Sequence, residues 1–139
     1  MSDEEPRRER LSFEEFQLSR FPNGRCRATV RMGWTRDRSY SGESEGNQTL
    51  EGEVRAAAQA ALAAADAATN GKIDLDLRGV KAMKVFDAWV VVVMVRAWSE
   101  NGSLKLLGAY PCPDEDTPRG AVMAVLDATN RVLKRHLAD

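Results

Sequence analysis

Val93-Met94-Val95-Arg96, followed by Leu106-Leu107-Gly108 and then a helix pattern, repeats an order already present in the first half of the chain. There, Thr29-Val30-Arg31-Met32 is followed by Tyr40-Ser41-Gly42 and an alanine-rich helix pattern. A repeat at this scale indicates two copies of one supersecondary unit, neither of which can bury its apolar face alone. The sequence therefore predicts a small pseudo-symmetric domain.

The bulk composition is that of an ordinary globular protein. The chain has 139 residues, of which 43% are hydrophobic and 29% charged, with a formal net charge of −1. This length suits one domain with a real core, and the near-zero charge favours neither nucleic acid nor acidic partners. No apolar run reaches the length of a membrane span, and the N-terminus lacks the apolar stretch of a secretion signal. We therefore expect a cytoplasmic protein with no membrane contact.

The first unit shows clear strand and helix patterns. Residues 1–11 mix acidic and basic side chains and predict a flexible tail, so that the domain spans residues 12–139. The alternation from Cys26 to Trp34 predicts a half-buried strand, and Ser39 to Ser44 the strand that returns beside it. Residues 45–49 break the pattern, and a helix is predicted over residues 50–68.

The second unit, over residues 72–139, repeats this order after the first unit of residues 12–71. Ile73 to Leu77 alternates, Trp89 to Trp98 is apolar, and Asn101-Gly102 predicts a hairpin turn into the third strand. A last helix follows, with Asp116 or Thr117 as its cap and Pro118 in its first turn. Three strands and a helix, twice, predict an α+β fold of two βββα units with antiparallel sheets and helices packed on one face.

The valine-rich strand carries the strongest argument about assembly. Residues 90–95 are apolar on both faces, whereas an antiparallel sheet with helices on one side normally shows water a polar face. Leaving that face bare would forgo several kcal/mol of burial, at about 1.5–3 kcal/mol for each large side chain. We expect a homodimer with Val91, Val93 and Val95 as interface candidates. The alternative is that another layer of the same chain covers the strand.

Three stretches resemble the C-terminal regulatory domain of 2-isopropylmalate synthase, the leucine-binding and dimer-forming domain of that family. They are residues 40–47 (YSGESEGN), residues 79–82 (GVKA) before the valine-rich strand, and residues 125–133 (VLDATNRVL). The resemblance implies the βββα repeat, dimerisation and a small-molecule pocket near the dimer interface. The chain lacks the catalytic barrel of the full enzyme, and Gln48-Thr49 stands where the family usually has Gly and Pro. The resemblance therefore implies a regulatory domain without synthase activity, which senses an amino acid or a similar metabolite.

Two strand-to-helix steps are the candidate ligand sites. Backbone amides at the start of a helix can hold a carboxylate or a phosphate, and the resemblance favours this use here. The candidate ligand-binding residues are Gly46, Asn47, Gln48 and Thr49 in the first unit and Asp116 and Thr117 in the second. The alternative is that these residues only form turns and cap the helices.

Two further functions remain open. Arg25, Arg27 and Arg31 share one face of a strand and offer a nucleic-acid-binding module as an alternative. Trp34 lies on the opposite face and no aromatic residue is interleaved with these arginines, which favours a solvated face instead. A purely structural subunit, whose only role is to associate, is the other alternative.

The sequence offers little for catalysis. The acidic groups at Glu43, Glu45 and residues 114–116 precede helices, where they favour the helix dipole. His136 has no nucleophile near it in the sequence, and Cys26 and Cys112 are expected to be reduced thiols. We therefore expect no enzymatic activity, no cofactor and no metal site.

Overall fold

The computed structural model describes residues 11–35, 38–100 and 102–137, except for the side chains of residue 35 and residues 131–137. Within these ranges, six strands and two helices follow one another in the order predicted from the repeat. They are β1 (Ser12–Arg20), β2 (Arg25–Thr35), β3 (Arg38–Asn47), α1 (Leu50–Thr69), β4 (Asp74–Val85), β5 (Ala88–Ser99), β6 (Gly102–Cys112) and α2 (Thr117–Leu137).

The strands form two antiparallel sheets, which confirms the predicted α+β class and its two βββα units. The first sheet has the order β1-β2-β3 and the second the order β4-β5-β6, and each is followed by its helix. The inner face of β2 carries Cys26, Ala28, Val30 and Met32, all fully buried. The alternation of apolar and polar residues therefore predicted correctly which face of β2 is buried.

Strand β3 is longer than the sequence predicts. Glu45, Gly46 and Asn47 were expected to be loop, but they pair with Arg27, Cys26 and Arg25 at the start of β2. The prediction is wrong because these polar residues stand on a solvated sheet face or, at Gly46, against the helix, where hydrophobicity gives no strand signal.

The start of the domain differs by one residue from the predicted boundary. Leu11, assigned to the tail, is buried, and its backbone N–H donates to Asn130 Oδ1 at 2.8 Å. The predicted tail otherwise lies outside the described residues.

Each helix packs on its own sheet and also reaches the first strand of the other unit. Helix α1 lies against β2 and β3 and contacts β4, while α2 lies against β5 and β6 and contacts β1. The two helices also pack on each other, so α1 is buried on several sides. Its many alanines allow this because a small side chain lets backbones approach closely.

Two glycines hold equivalent places in the two units. A Cβ at Gly42 would meet the backbone of Ala60 and Ala64 in α1, and a Cβ at Gly108 would meet the backbone of Ala124 and Ala128 in α2. The Tyr-Ser-Gly and Leu-Leu-Gly stretches that revealed the repeat are therefore the points where each helix rests on its sheet.

The valine-rich strand corrects the candidate interface residues. Val91, Val93 and Val95 are 0% exposed because they face α2 in the core of their own chain, so they are not available to a partner. Val90, Val92 and Met94 on the opposite face are only half-buried. The strand is apolar on both faces as argued, but the uncovered face is the other one.

No helix within the described ranges is long and apolar enough to cross a membrane.

Candidate functional site

A cleft opens between the end of β1 and the start of α2. It has a volume of about 540 Å³, and we call it the β1–α2 cleft. Apolar, acidic and basic side chains line it: Phe16, Leu18, Arg20, Glu53, Glu115, Asp116, Thr117 and Pro118. It brings together β1 of the first unit, the first turn of α1 and the loop that enters α2.

The β1–α2 cleft is open because β1, in the described part of the chain, is attached to α2 only near its start. At its start, β1 is fixed to α2 by paired hydrogen bonds between the Leu11 backbone and Asn130, and by the guanidinium of Arg119, 4.6 Å from the centre of the Phe13 ring. Further along, Phe16 and Leu18 pair with Val30 and Ala28 and lie on the inner face of the sheet, half-buried. The apolar wall of the cleft therefore follows from the alternation of β1.

Arg20 and Glu53 form the polar wall. The Nε and Nη2 atoms of Arg20 donate to the two carboxylate oxygens of Glu53 at 2.6 and 2.9 Å. This fork raises the pKa of Arg20 above its usual value, mainly through the hydrogen bond and then through the charge of Glu53. It leaves Nη1 of Arg20 without a hydrogen-bond partner among the described residues.

The loop entering α2 forms the third wall. Asp116 caps the helix, because its carboxylate accepts from the Arg119 N–H at 3.3 Å and its carbonyl from the Gly120 N–H at 2.9 Å. Glu115 holds a left-handed backbone with φ of 64°. The prediction that Asp116 or Thr117 caps this helix is confirmed for Asp116.

Thr117 is the unusual group in this wall. The residue is only 3% exposed, and within the described part of the chain its hydroxyl has no hydrogen-bond partner. Buried hydroxyls are normally paired, and leaving one unpaired costs about 1–3 kcal/mol. Because Thr117 lines the cleft, a molecule bound there is placed to satisfy it.

The charge of the β1–α2 cleft is acidic. Arg20 is paired with Glu53, and Glu115 and Asp116 have no ion-pair partner in the described ranges. The cleft thus offers two carboxylates, a guanidinium N–H, a hydroxyl and an apolar wall.

The repeat generates a second cleft, between α1 and β4. It has a volume of about 370 Å³ and is lined by Leu50, Glu51, Val54, Arg55, Val80, Lys81 and Ala82. Val80 and Ala82 pair with Val93 and Val91, as Phe16 and Leu18 pair with Val30 and Ala28. The two clefts are therefore equivalent in the repeat and differ in charge, because Arg55 balances Glu51 in this one and the alternation of β4 turns Lys81 to the opposite face.

The structure separates the two predicted ligand sites. Asp116 and Thr117 line the β1–α2 cleft, as the hypothesis requires. Gly46, Asn47, Gln48 and Thr49 instead serve the local structure. Gly46 packs on the Gly52 carbonyl, Asn47 accepts from Arg25, Gln48 donates to the carbonyls of Phe21 and Arg25, and Thr49 caps α1 through the Gly52 N–H.

Four residues of the β1–α2 cleft escaped the sequence analysis. Phe16, Leu18, Arg20 and Glu53 come from the first unit, whereas the loop they face belongs to the second. The repeat itself contained a usable signal: if each helix reaches the first strand of the other unit, β1 must border the start of α2.

The candidate nucleic-acid residues are engaged with neighbours on their own sheet. Arg27 pairs with Glu45 at 2.8 Å and Glu43 at 3.1 Å, and Arg31 with Glu15 at 2.7 Å and Glu14 at 3.2 Å. Nη1 of Arg25 donates to Asn47 Oδ1 at 2.8 Å. A phosphate backbone would meet as many carboxylates as guanidinium groups here, so the geometry favours the solvated face.

Both cysteines are buried free thiols. Burial raises the pKa of Cys26 and of Cys112, so each stays protonated and weakly nucleophilic near neutral pH. Within the described ranges, no three acidic, thiol or imidazole side chains gather in a way that could hold a metal ion. The side chain of His136 lies outside what the structure describes.

No protein-family model matches this chain, and no protein of curated function matches it.

Proposed function

We propose that this protein is a non-catalytic, cytoplasmic regulatory domain that works as a homodimer and binds a small metabolite in the β1–α2 cleft. The observation that supports it best is the hydroxyl of Thr117 in the wall of that cleft, on a buried residue and without a hydrogen-bond partner in the part of the chain that the structure describes. The resemblance to the regulatory domain of 2-isopropylmalate synthase supports the same function.

The groups around the cleft fit a zwitterionic metabolite with an apolar side chain. Glu115 and Asp116 suit a protonated amine, while Nη1 of Arg20 and the hydroxyl of Thr117 are donors for a carboxylate. Phe16 and Leu18 offer an apolar surface. An amino acid or a similar metabolite is therefore the ligand class that we propose.

A thermal-shift screen of amino acids, simple amines and simple carboxylates, followed by calorimetry of the hits, tests this function. A ligand that binds only the folded state raises the melting temperature, and above Kd the shift grows with the logarithm of the ligand concentration. We expect zwitterions with apolar side chains to outperform amines or carboxylates alone, because only they use both charged walls.

The Thr117→Val variant gives the matched test, since it removes the hydroxyl and keeps the shape. We expect it to weaken ligand binding by about 5- to 50-fold, which corresponds to about 1–2.3 kcal/mol. Thr29→Val on the exposed face of β2 is the control and should bind like the parent. A flat screen against a well-folded parent would reject the sensing function and leave the purely structural subunit.

The homodimer is tested separately, by sedimentation velocity between about 1 and 100 µM. The supporting observation is the half-buried apolar face of β5, which the described residues leave uncovered. A single monomeric species over this range would reject the homodimer without bearing on the cleft.

A further inference from the structure

The outer face of the second sheet, turned away from the helices, is apolar over most of its length. It carries the side chains that pair across β4, β5 and β6 on the side opposite Val91 and Val93. We call its apolar part the outer patch: Met83, Val85, Val90, Val92, Met94 and Leu107. One charged residue, Lys81, lies within this area, opposite Val92. Leu107 is 57% exposed and Val85 is 38% exposed.

The outer face of the first sheet differs in kind. There the arginines of β2 stand among glutamates of β1 and β3 and form ion pairs with them. At the position equivalent to Leu107, one residue before the helix-contacting glycine, the first unit has Ser41. The two units of the repeat thus differ, because the first sheet has a solvated outer face and the second sheet has an apolar one. This difference marks the outer face of the second sheet as a contact surface.

Phe86 extends the outer patch at its end. It lies in the two-residue turn between β4 and β5, has a positive φ of 57° and is 98% exposed. Such turns favour Asn, Asp or Gly, because a bulky side chain at positive φ is disfavoured. An exposed phenylalanine there contributes almost no burial to the folded monomer, but it can contribute to an interface.

We infer that the outer face of the second sheet is the surface through which two copies of this chain pair, face to face, about a twofold axis that runs along β5. This inference rests on the homodimer of the proposed function and specifies its surface and symmetry.

The charges on this face select the direction of the axis. Asp76, Arg96 and Lys105 form one row across the three strands, beyond the outer patch. With the axis along β5, β4 of one copy faces β6 of the other, so the patches meet each other and Asp76, which pairs with Arg78 of its own chain at 2.8 Å, also meets the partner's Lys105. Arg96 of the middle strand then lies opposite its own copy, flanked on each chain by Asp76. An axis across the strands would set this charged row on apolar residues of the partner, which is costly for unpaired charges.

The size of the face suits a dimer. Its three strands have 11 or 12 residues each. With strands about 4.8 Å apart and a rise of about 3.3 Å per residue, they cover roughly 500 Å². Two such faces bury about 1,000 Å², the lower bound for a specific interface, and stacked sheets pack with strands about 30° apart.

The experiment compares Leu107→Glu with Ser41→Glu by sedimentation velocity, with circular dichroism to confirm folding. We expect the parent and Ser41→Glu to be dimeric at about 10 µM, and Leu107→Glu to dissociate at least about 100-fold more readily. A parent dimer that Leu107→Glu leaves intact would overturn this surface while the homodimer stands. A monomeric parent would overturn both.

A charge swap tests the axis, because it is independent of apolar burial. Asp76→Lys alone and Lys105→Asp alone should each weaken the dimer, since each sets like charges together across the axis. The double variant should restore the parent affinity. Singles that weaken the dimer with no recovery in the double variant would overturn the axis along β5.

Discussion

Arg20 donates two hydrogen bonds to Glu53, at 2.6 and 2.9 Å, and so joins the last residue of β1 to the first turn of α1. The Glu53 side chain is 11% exposed and that of Arg20 is 57% exposed, so the carboxylate is the buried partner. This fork fixes the wall of the β1–α2 cleft opposite the loop that enters α2. It also neutralises the guanidinium of Arg20 and leaves the described part of the cleft acidic.

The Glu53→Gln variant should be destabilised by about 1–2 kcal/mol. The substitution leaves a neutral amide where a buried carboxylate had accepted two charge-assisted hydrogen bonds. Urea unfolding measures the loss. Added salt should reduce the gap between parent and variant, because the Arg20 side of the pair is open to solvent.

The control for this pair is Glu51→Gln, in the same helical turn and without a described partner. It should change the free energy of unfolding by less than about 0.5 kcal/mol. Equal losses in the two variants would mean that the fork contributes nothing beyond an acidic residue near the helix start.

Replacing Gly42 or Gly108 by alanine should destabilise the protein by about 1–3 kcal/mol each, or more. A methyl group at either position collides with helix backbone, at Ala60 or at Ala124, and backbone yields less readily than a side chain. Gly79→Ala is the matched control, because a Cβ there meets nothing within 4 Å. Thermal or urea unfolding of the three variants decides the point, and a mild effect at Gly42 or Gly108 would contradict the close helix contact.

The fold could be predicted because its signals are local. The alternation of β2 and the caps of α1 each involve a few neighbouring residues, and the correspondence of Gly42 with Gly108 extends the same assignments to the second unit. The inner face of β5 could not be told from its outer face, because Val91 and Val92 are the same residue type. Packing against α2 determines which of the two faces is buried, and the residues of the strand alone do not indicate it.

The candidate site could be predicted only in half. Asp116 and Thr117 lie at a recognisable helix start, but Phe16 and Arg20 approach them only because β1 contacts the helix of the other unit. Whether a helix contacts the first strand of its own unit or that of the other unit depends on packing between residues that are far apart in the sequence. Gly46 to Thr49 looked equivalent to the second step, yet their polar groups are used by the turn that they form.

Asp66 gives the protein a pH dependence of known sign. Burial, and then the charge of Asp74, raise the pKa of its carboxyl, although the Leu75 N–H donates to it at 3.3 Å. The folded state therefore holds the proton to higher pH than the unfolded chain, whose value is about 3.9. The free energy of unfolding therefore falls as the pH rises from about 3.9 through the higher pKa of the folded state.

The Asp66→Asn variant isolates this effect, because its amide oxygen still accepts from Leu75. Relative to the parent, its free energy of unfolding should be higher at about pH 6.5 than at about pH 3.5, measured by urea unfolding at both values. A difference between variant and parent that does not change with pH would contradict the assignment. Glu100→Gln, at an exposed position with no partner among the described residues, is the comparison.

The Phe86→Asn variant should move folding and association in opposite directions. Asparagine accepts a positive φ in a two-residue hairpin turn, so the monomer should gain about 0.5–1 kcal/mol in free energy of unfolding. The loss of the exposed ring should weaken the pairing of two copies.

Unfolding is best measured in the Leu107→Glu background, because dimerisation would otherwise add to the apparent stability. Phe86→Ala separates the two effects, since it removes the ring without favouring the left-handed backbone. If Phe86→Asn destabilises the monomeric background, the turn gains from the ring and the case for Phe86 as an interface residue fails.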